Sequence, residues 1–138
     1  MIGMDNRVAP PGSCPARPNW KCEPDILGDF RAMSFADAAF QLVVFDPPHN
    51  IRDSVRGNVG VNYGALSRDT EQDDLRRGFS ECWRVLAPGG TLVFKWAASL
   101  SRVRPHFPAT PVVGTRVPRG GQTRWFVFYK PLARADER

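Results

Sequence analysis

Phe40-Gln41-Leu42-Val43-Val44-Phe45-Asp46-Pro47-Pro48-His49 is a short apolar run that stops on a carboxylate, two prolines and a histidine. A run of this length, apolar on both faces from Leu42 to Phe45, predicts a strand buried in a parallel sheet covered by helices. Its last residue then lies at the C-terminal edge of the sheet, where open α/β folds bind their ligands. Pro47 and Pro48 have fixed φ and no N–H to donate, so the turn carrying Asp46 is stiff before anything binds. Turn chemistry alone also favours Asp-Pro at a strand end.

Downstream, Leu75, Phe79, Cys82, Trp83 and Leu86 recur at helical spacing. Thr70 is placed as N-cap, acidic residues fill the first turn, and Pro88-Gly89-Gly90 is expected to end the helix. Thr91 to Trp96 predicts a second buried strand, which completes a strand, helix, strand crossover. Lys95 and Trp96 end that strand at the same sheet edge as Asp46, where a lysine could meet a phosphate and an indole could stack on a base. Core packing is the competing use of Trp96, and Trp83 reads as core. The aromatic run Trp125 to Tyr129 predicts a strand, with Val112 to Val117 as its hairpin partner across Gly120-Gly121. The fold class is therefore α/β, mostly parallel, closing with a C-terminal antiparallel hairpin.

Upstream, Ile26-Leu27-Gly28-Asp29 predicts a short strand, and residues 35 to 40 a brief connection. Residues 8–23 hold four prolines without apolar periodicity and read as an extended loop, with Pro10-Pro11-Gly12 as its turn. Residues 51 to 68, with Gly57, Gly60, Gly64 and Tyr63, suit a mobile loop over the site.

The 138 residues suit one domain, 1–138. The net charge is +5 and the sequence pI about 9.6. Arg102, Arg104, Arg116, Arg119, Arg124, Lys130 and Arg134 fall in a stretch from Ala97 to Ala135 that has no Asp or Glu. Arginine forks pair with phosphates, so a nucleic-acid partner is favoured, beside the plainer reading of a solvated basic face. Cys14, Cys22 and Cys82 match neither a zinc ribbon nor a redox pair, so no metal is expected and a reduced, cytoplasmic protein is. No apolar stretch is long enough to span a membrane. His106, between Pro105 and Phe107, reads as structural.

Three segments, in this order, resemble the class I S-adenosylmethionine-dependent methyltransferases, in particular bacterial and phage proteins with an Asp-Pro-Pro-aromatic or Asp-Pro-Pro-His signature. They are Gly28-Asp29-Phe30 with Phe35-Ala36-Asp37, then Asp46-Pro47-Pro48-His49, then Arg84-Val85-Leu86-Ala87-Pro88-Gly89-Gly90-Thr91-Leu92. The likeness covers roughly residues 23–130. It implies a Rossmann-like sheet and S-adenosyl-L-methionine as cofactor. Asp29 or the Phe30 backbone would meet the adenine, and Asp5 would accept from the ribose hydroxyls. Asp46, Pro47, Pro48 and His49 would hold the target amine, with His49 stacked on the base. The implied reaction is methylation of an exocyclic amine of a nucleic-acid base, DNA adenine N6 foremost. Methylation of a small molecule or protein, and a non-catalytic remnant, are the alternatives. The glycine-rich turn after the family's first strand has no counterpart in the sequence, so the resemblance implies an N-terminally truncated domain or a partner chain completing the sheet.

Overall fold

The computed structural model describes residues 1–49, 60, 62–96, 113–116 and 124–132. Strand β1 (Met4–Asp5) pairs in parallel with β2 (Ile26–Leu27), so the predicted Ile26-Leu27 strand forms and Asp5 ends a strand of its own. The apolar run is β3 (Phe40–Phe45). It leads through helix α1 (Glu71–Val85) into β4 (Leu86–Trp96), which lies parallel to it with Val44 opposite Val93 and Phe45 opposite Phe94. β5 (Val113–Arg116) and β6 (Arg124–Tyr129) form the antiparallel hairpin, and the sheet order is β3-β4-β6-β5.

The expectation of a mostly parallel sheet needs correction. β6, and not β5, docks on β4, with Trp125 opposite Lys95 and Phe128 opposite Leu92, so two of the three pairings in this sheet are antiparallel. The parallel, helix-linked part of the fold is the β3-α1-β4 unit.

The helix ends at Val85, earlier than Pro88, because Leu86 is already extended (ψ 129°) and pairs with Phe40. Pro88-Gly89-Gly90 instead forms an irregularity inside β4, where the register against β3 jumps from Leu86 to Thr91. Gly89 has φ +79°, and a Cβ on Gly90 would stand 2.8 Å from the Ala87 carbonyl and 2.9 Å from that of Gln41, so both positions require glycine. Lys130 donates from Nζ to the carbonyls of Trp83 (2.7 Å) and Leu86 (2.6 Å), closing the C-terminal end of α1. Burial lowers the pKa of that ammonium. Thr70 precedes the helix without capping it; its hydroxyl donates to Asp74 Oδ2 at 2.8 Å.

The core lies between α1 and the sheet. Phe79 meets Phe128 edge-on at 5.0 Å, Phe94 stacks on Phe45 at 5.4 Å, and Leu75, Cys82, Leu86 and Leu92 fill the remaining volume. Burial lifts the Cys82 thiol to about 12, so it packs as a small hydrophobe. β3 contributes unequally. Phe45 is buried, whereas Leu42 and Val44 are 58% and 55% exposed, so the strand is not covered on both faces as its composition suggested.

Residues 8–23 also differ from expectation. They close into a loop whose base is a reciprocal backbone pair between Ala9 and Cys22 (3.0 and 2.8 Å), and Cys14 is buried inside it. Most of the proposed mobile loop, His106, the Gly120-Gly121 turn, and Arg102, Arg104, Arg119 and Arg134 fall outside the described residues. Among the described residues, no helix is long and apolar enough to cross a membrane.

Candidate functional site

Asp46 leaves β3 at the sheet edge and lies half-exposed in a pocket of about 320 Å³. Pro47, Pro48, His49 and Lys95 line the same pocket, so the end of β3 and the end of β4 meet there. The end of β1 supplies Asp5, with Arg7 just beyond it, and the segment preceding Gly64 supplies Asn62 and Tyr63. Gly64 has φ +75°, a backbone conformation that favours glycine, and a Cβ there would make ordinary contact with Pro48 at 3.4 Å and the Arg7 guanidinium at 3.5 Å.

Both oxygens of Asp46 are engaged. Oδ2 accepts from Lys95 Nζ at 2.8 Å, and Oδ1 lies 3.1 Å from His49 Nε2. The same His49 nitrogen lies 3.2 Å from the Lys95 carbonyl, which can only accept, so Nε2 carries the hydrogen and donates to both oxygens. Burial pushes the Asp46 carboxyl up, but hydrogen bonds from His49 and Lys95 outweigh it, and its pKa lies below the ordinary carboxylate value. Asp46 is therefore a charged acceptor fixed from two sides.

His49 braces Asp46 through its nitrogen edge and meets Trp96 edge-on at 5.4 Å. Trp96 does not reach the pocket. It is 1% exposed and stacks against Phe94 at 6.1 Å, with no partner for its indole N–H among the described residues. A fully packed indole has no face for a base, which corrects the stacking role considered for it.

A larger groove of about 1010 Å³ adjoins this pocket and shares Asp5, Arg7, Asp46, Pro47, Pro48 and Tyr63 with it. Phe30 lines the groove and packs on Phe45 at 5.4 Å. Asp29 lines neither cavity. Its carboxylate accepts from Arg31 at 2.6 Å, hydrogen bonds from that guanidinium lower its pKa, and Arg31 reaches on to the buried Asp74 at 2.9 Å. Asp5 accepts from the backbone N–H of Arg7 at 2.9 Å and from its guanidinium at 3.1 Å.

The fold thus brings Asp5, Asp46, Pro47, Pro48, His49 and Lys95 together, sets Phe30 in the adjoining groove, and leaves Asp29 and Trp96 outside. Sequence reading missed Arg7 and Asn62. Arg7 stands two residues after Asp5, a spacing at which an acidic side chain accepts from the following backbone. Asn62 gives no such signal. Its Oδ1 is buried without a partner among the described residues, and the residue shows its relevance only once folded against the prolines.

No family model and no curated protein matches the chain. Among solved structures, it matches a candidate DNA modification methylase from Thermus thermophilus, in complex with S-adenosyl-L-methionine, at a TM-score of 0.52 and 20% identity. The PH0226 protein from Pyrococcus horikoshii matches at 0.50 and 18%. The chain shares their fold. The alignments cover 78% and 77% of this chain but 55% and 58% of the neighbours, so it spans little more than half their length.

Proposed function

We propose that the chain is the acceptor half of an S-adenosyl-L-methionine-dependent methyltransferase that methylates an exocyclic amine of a nucleic-acid base, with DNA adenine N6 as the first candidate. The observation that carries this reading is Asp46: a charged acceptor at the end of a parallel strand, stiffened by Pro47 and Pro48, braced by His49 and opening on a pocket beside Asp5. The fold shared with a candidate DNA modification methylase solved with that cofactor supports it.

The adjoining groove fits the cofactor in size and donor set. It combines a strand-end carboxylate, Asp5, with the apolar surface of Phe30 and of the exposed β3 residues, and ligand sites of this kind reach roughly 1,000 Å³. Asp5 would accept from the ribose hydroxyls and Phe30 would pack on the adenine. The cofactor, when bound, supplies an electrophilic methyl group on a sulfonium.

An exocyclic base amine is a weak nucleophile, because its lone pair is delocalised into the ring. Asp46 and the Pro47 carbonyl would each accept one of its N–H groups, which favours a pyramidal nitrogen and aims its lone pair. Positioning and preorganised charge are the two contributions made by the chain. A base within a duplex has to leave the stack before it can reach this pocket. Net positive charge favours the nucleic acid as partner, and in the described part Arg124 is an exposed member of the basic stretch.

The outer edge of β3 has no strand paired to it among the described residues, and Leu42 and Val44 stand open beside it. This supports completion of the sheet by a further strand, from a partner chain or from an upstream extension of this one. Transfer of tritiated methyl to adenine-containing DNA, with and without that extension, tests the function. Asp46→Ala should lower the rate by at least about a hundredfold, as loss of one preorganised contact does. Equal transfer by wild type and Asp46→Ala would refute the assignment.

A further inference from the structure

We infer that Lys95 occupies the acceptor position of Asp46 in the free protein, its ammonium standing where the amine to be methylated would sit. The inference rests on the reading of the pocket given above and identifies Lys95 as the side chain that a substrate displaces.

The geometry is that of a competing donor. Lys95 Nζ lies 2.8 Å from Asp46 Oδ2, the distance an amine donor adopts on a carboxylate, and Lys95 lines the same pocket. The other oxygen is already held by His49 at 3.1 Å. A carboxylate has lone pairs for more than two donors, so the competition is over space and charge. With the ammonium in place, the negative charge of Asp46 is compensated, and a neutral base amine meets a weaker acceptor.

The lysine has a second contact besides Asp46, made from the same position. Lys95 pairs across the sheet with Trp125, and its ammonium lies 5.4 Å from the centre of that indole. Leaving Asp46, it can stay over an aromatic face, where a cation is attracted by the ring quadrupole. The backbone of Lys95 is held by its pairing with Trp125 of β6, so only its flexible four-carbon stem needs to move. The ion pair itself is weak enough to yield. The side chains of Lys95 and Asp46 are 28% and 44% exposed, and a pair at that exposure biases an equilibrium by about fivefold at most.

The test uses methylammonium chloride as the probe and the His49 imidazole nitrogen resonances as the readout, with neither cofactor nor nucleic acid present. In Lys95→Ala the vacated place should take methylammonium, giving a saturable shift of the His49 signals. Wild type should need about fivefold more methylammonium for the same shift, and Lys95→Ala combined with Asp46→Asn should give none. An equal response in wild type, or no response in Lys95→Ala, overturns the inference. Because the titration needs no methyl transfer, it stands or falls separately from the methyltransferase reading. Where transfer is measurable, Lys95→Met should lower KM for the nucleic acid by about three- to fivefold, the size of the lost competition. A tenfold rise in KM would instead make Lys95 a substrate-holding residue and refute the displacement.

Discussion

β4 has a strand hydrogen-bonded along each edge and α1 packed over it, whereas β3 has a strand along one edge only among the described residues. The two strands are built from similar residues and share a buried α1 face, where Phe45 lies beside Phe94, but on the opposite face Leu42 and Val44 stand more than half exposed while their partners Thr91 and Val93 are partly covered. Composition states that a strand needs cover; it does not state whether the cover lies within the described fold. The difference also places the chemistry. The closed flank holds the strand ends rigid, and the open flank is the wall of the groove that would receive the cofactor.

The sharpest way to break this comparison is a truncation on each flank. Phe79→Ala, on the closed side, should lose about 3–5 kcal/mol in chemical denaturation, because it removes a ring packed against Phe94 and Phe128. Leu42→Ala should lose less than about 1 kcal/mol, since most of its side chain already meets solvent. Equal losses would show that the outer flank is covered in solution.

Gly78→Ala comes next. A Cβ there would stand 2.4 Å from Phe30 and 2.7 Å from Phe45, so one methyl group on α1 should cost about 1–3 kcal/mol by overpacking. Because both rings border the groove side of the core, the same variant should also weaken S-adenosylhomocysteine binding in calorimetry. An unchanged affinity would separate core packing from the groove.

Acid titration gives a smaller effect with a defined sign. Hydrogen bonds from Arg31 hold the Asp29 carboxyl below its ordinary 3.8, and those from Arg84 hold Glu81 below 4.5. The unfolded chain therefore takes up these protons first as pH falls. The stabilisation is complete above the ordinary values and is lost as pH drops through the lowered folded ones. Asp29→Asn and Glu81→Gln should each flatten the decline of stability below about pH 4.5. A decline as steep as in wild type would show that these pairs contribute nothing.

The smallest expected change is on the open flank. Val44→Thr should leave stability within about 0.5 kcal/mol and reduce self-association in sedimentation at high concentration, because it removes an exposed apolar group on a strand whose outer edge has no partner among the described residues. Unaltered association would mean that the edge is protected by other means.

The β3-α1-β4 unit was legible in the sequence because each element has a strong period, although the boundary between α1 and β4 was not. Asp46, Pro47, Pro48 and His49 were legible because fixed φ and a strand-end carboxylate are local properties. The pairing of Lys95 with Asp46 was not, since it joins residues 49 apart in sequence and depends on strand register. The exposure of Leu42 and Val44 was hidden for a related reason: a strand's sequence does not record which of its neighbours are present. The Pro88-Gly89-Gly90 segment misled because proline and glycine mark a helix end and a strand irregularity equally well. Trp96 shows a further limit. A strand-end position fixes the height of a side chain above the sheet but not which face it enters.

The pairing pattern carries a kinetic consequence. β5 and β6 meet over short spans, with Arg116 opposite Arg124, whereas β3 finds β4 only after the chain has closed a crossover from Val44 to Val93. Loop-closure entropy favours the hairpin first and the β3–β4 register last. Mutations in β3 should accordingly speed unfolding and leave the folding rate unaltered, the signature of a strand that docks after the transition state. Until it docks, the segment that ends in Asp46 presents both of its strand edges to solvent.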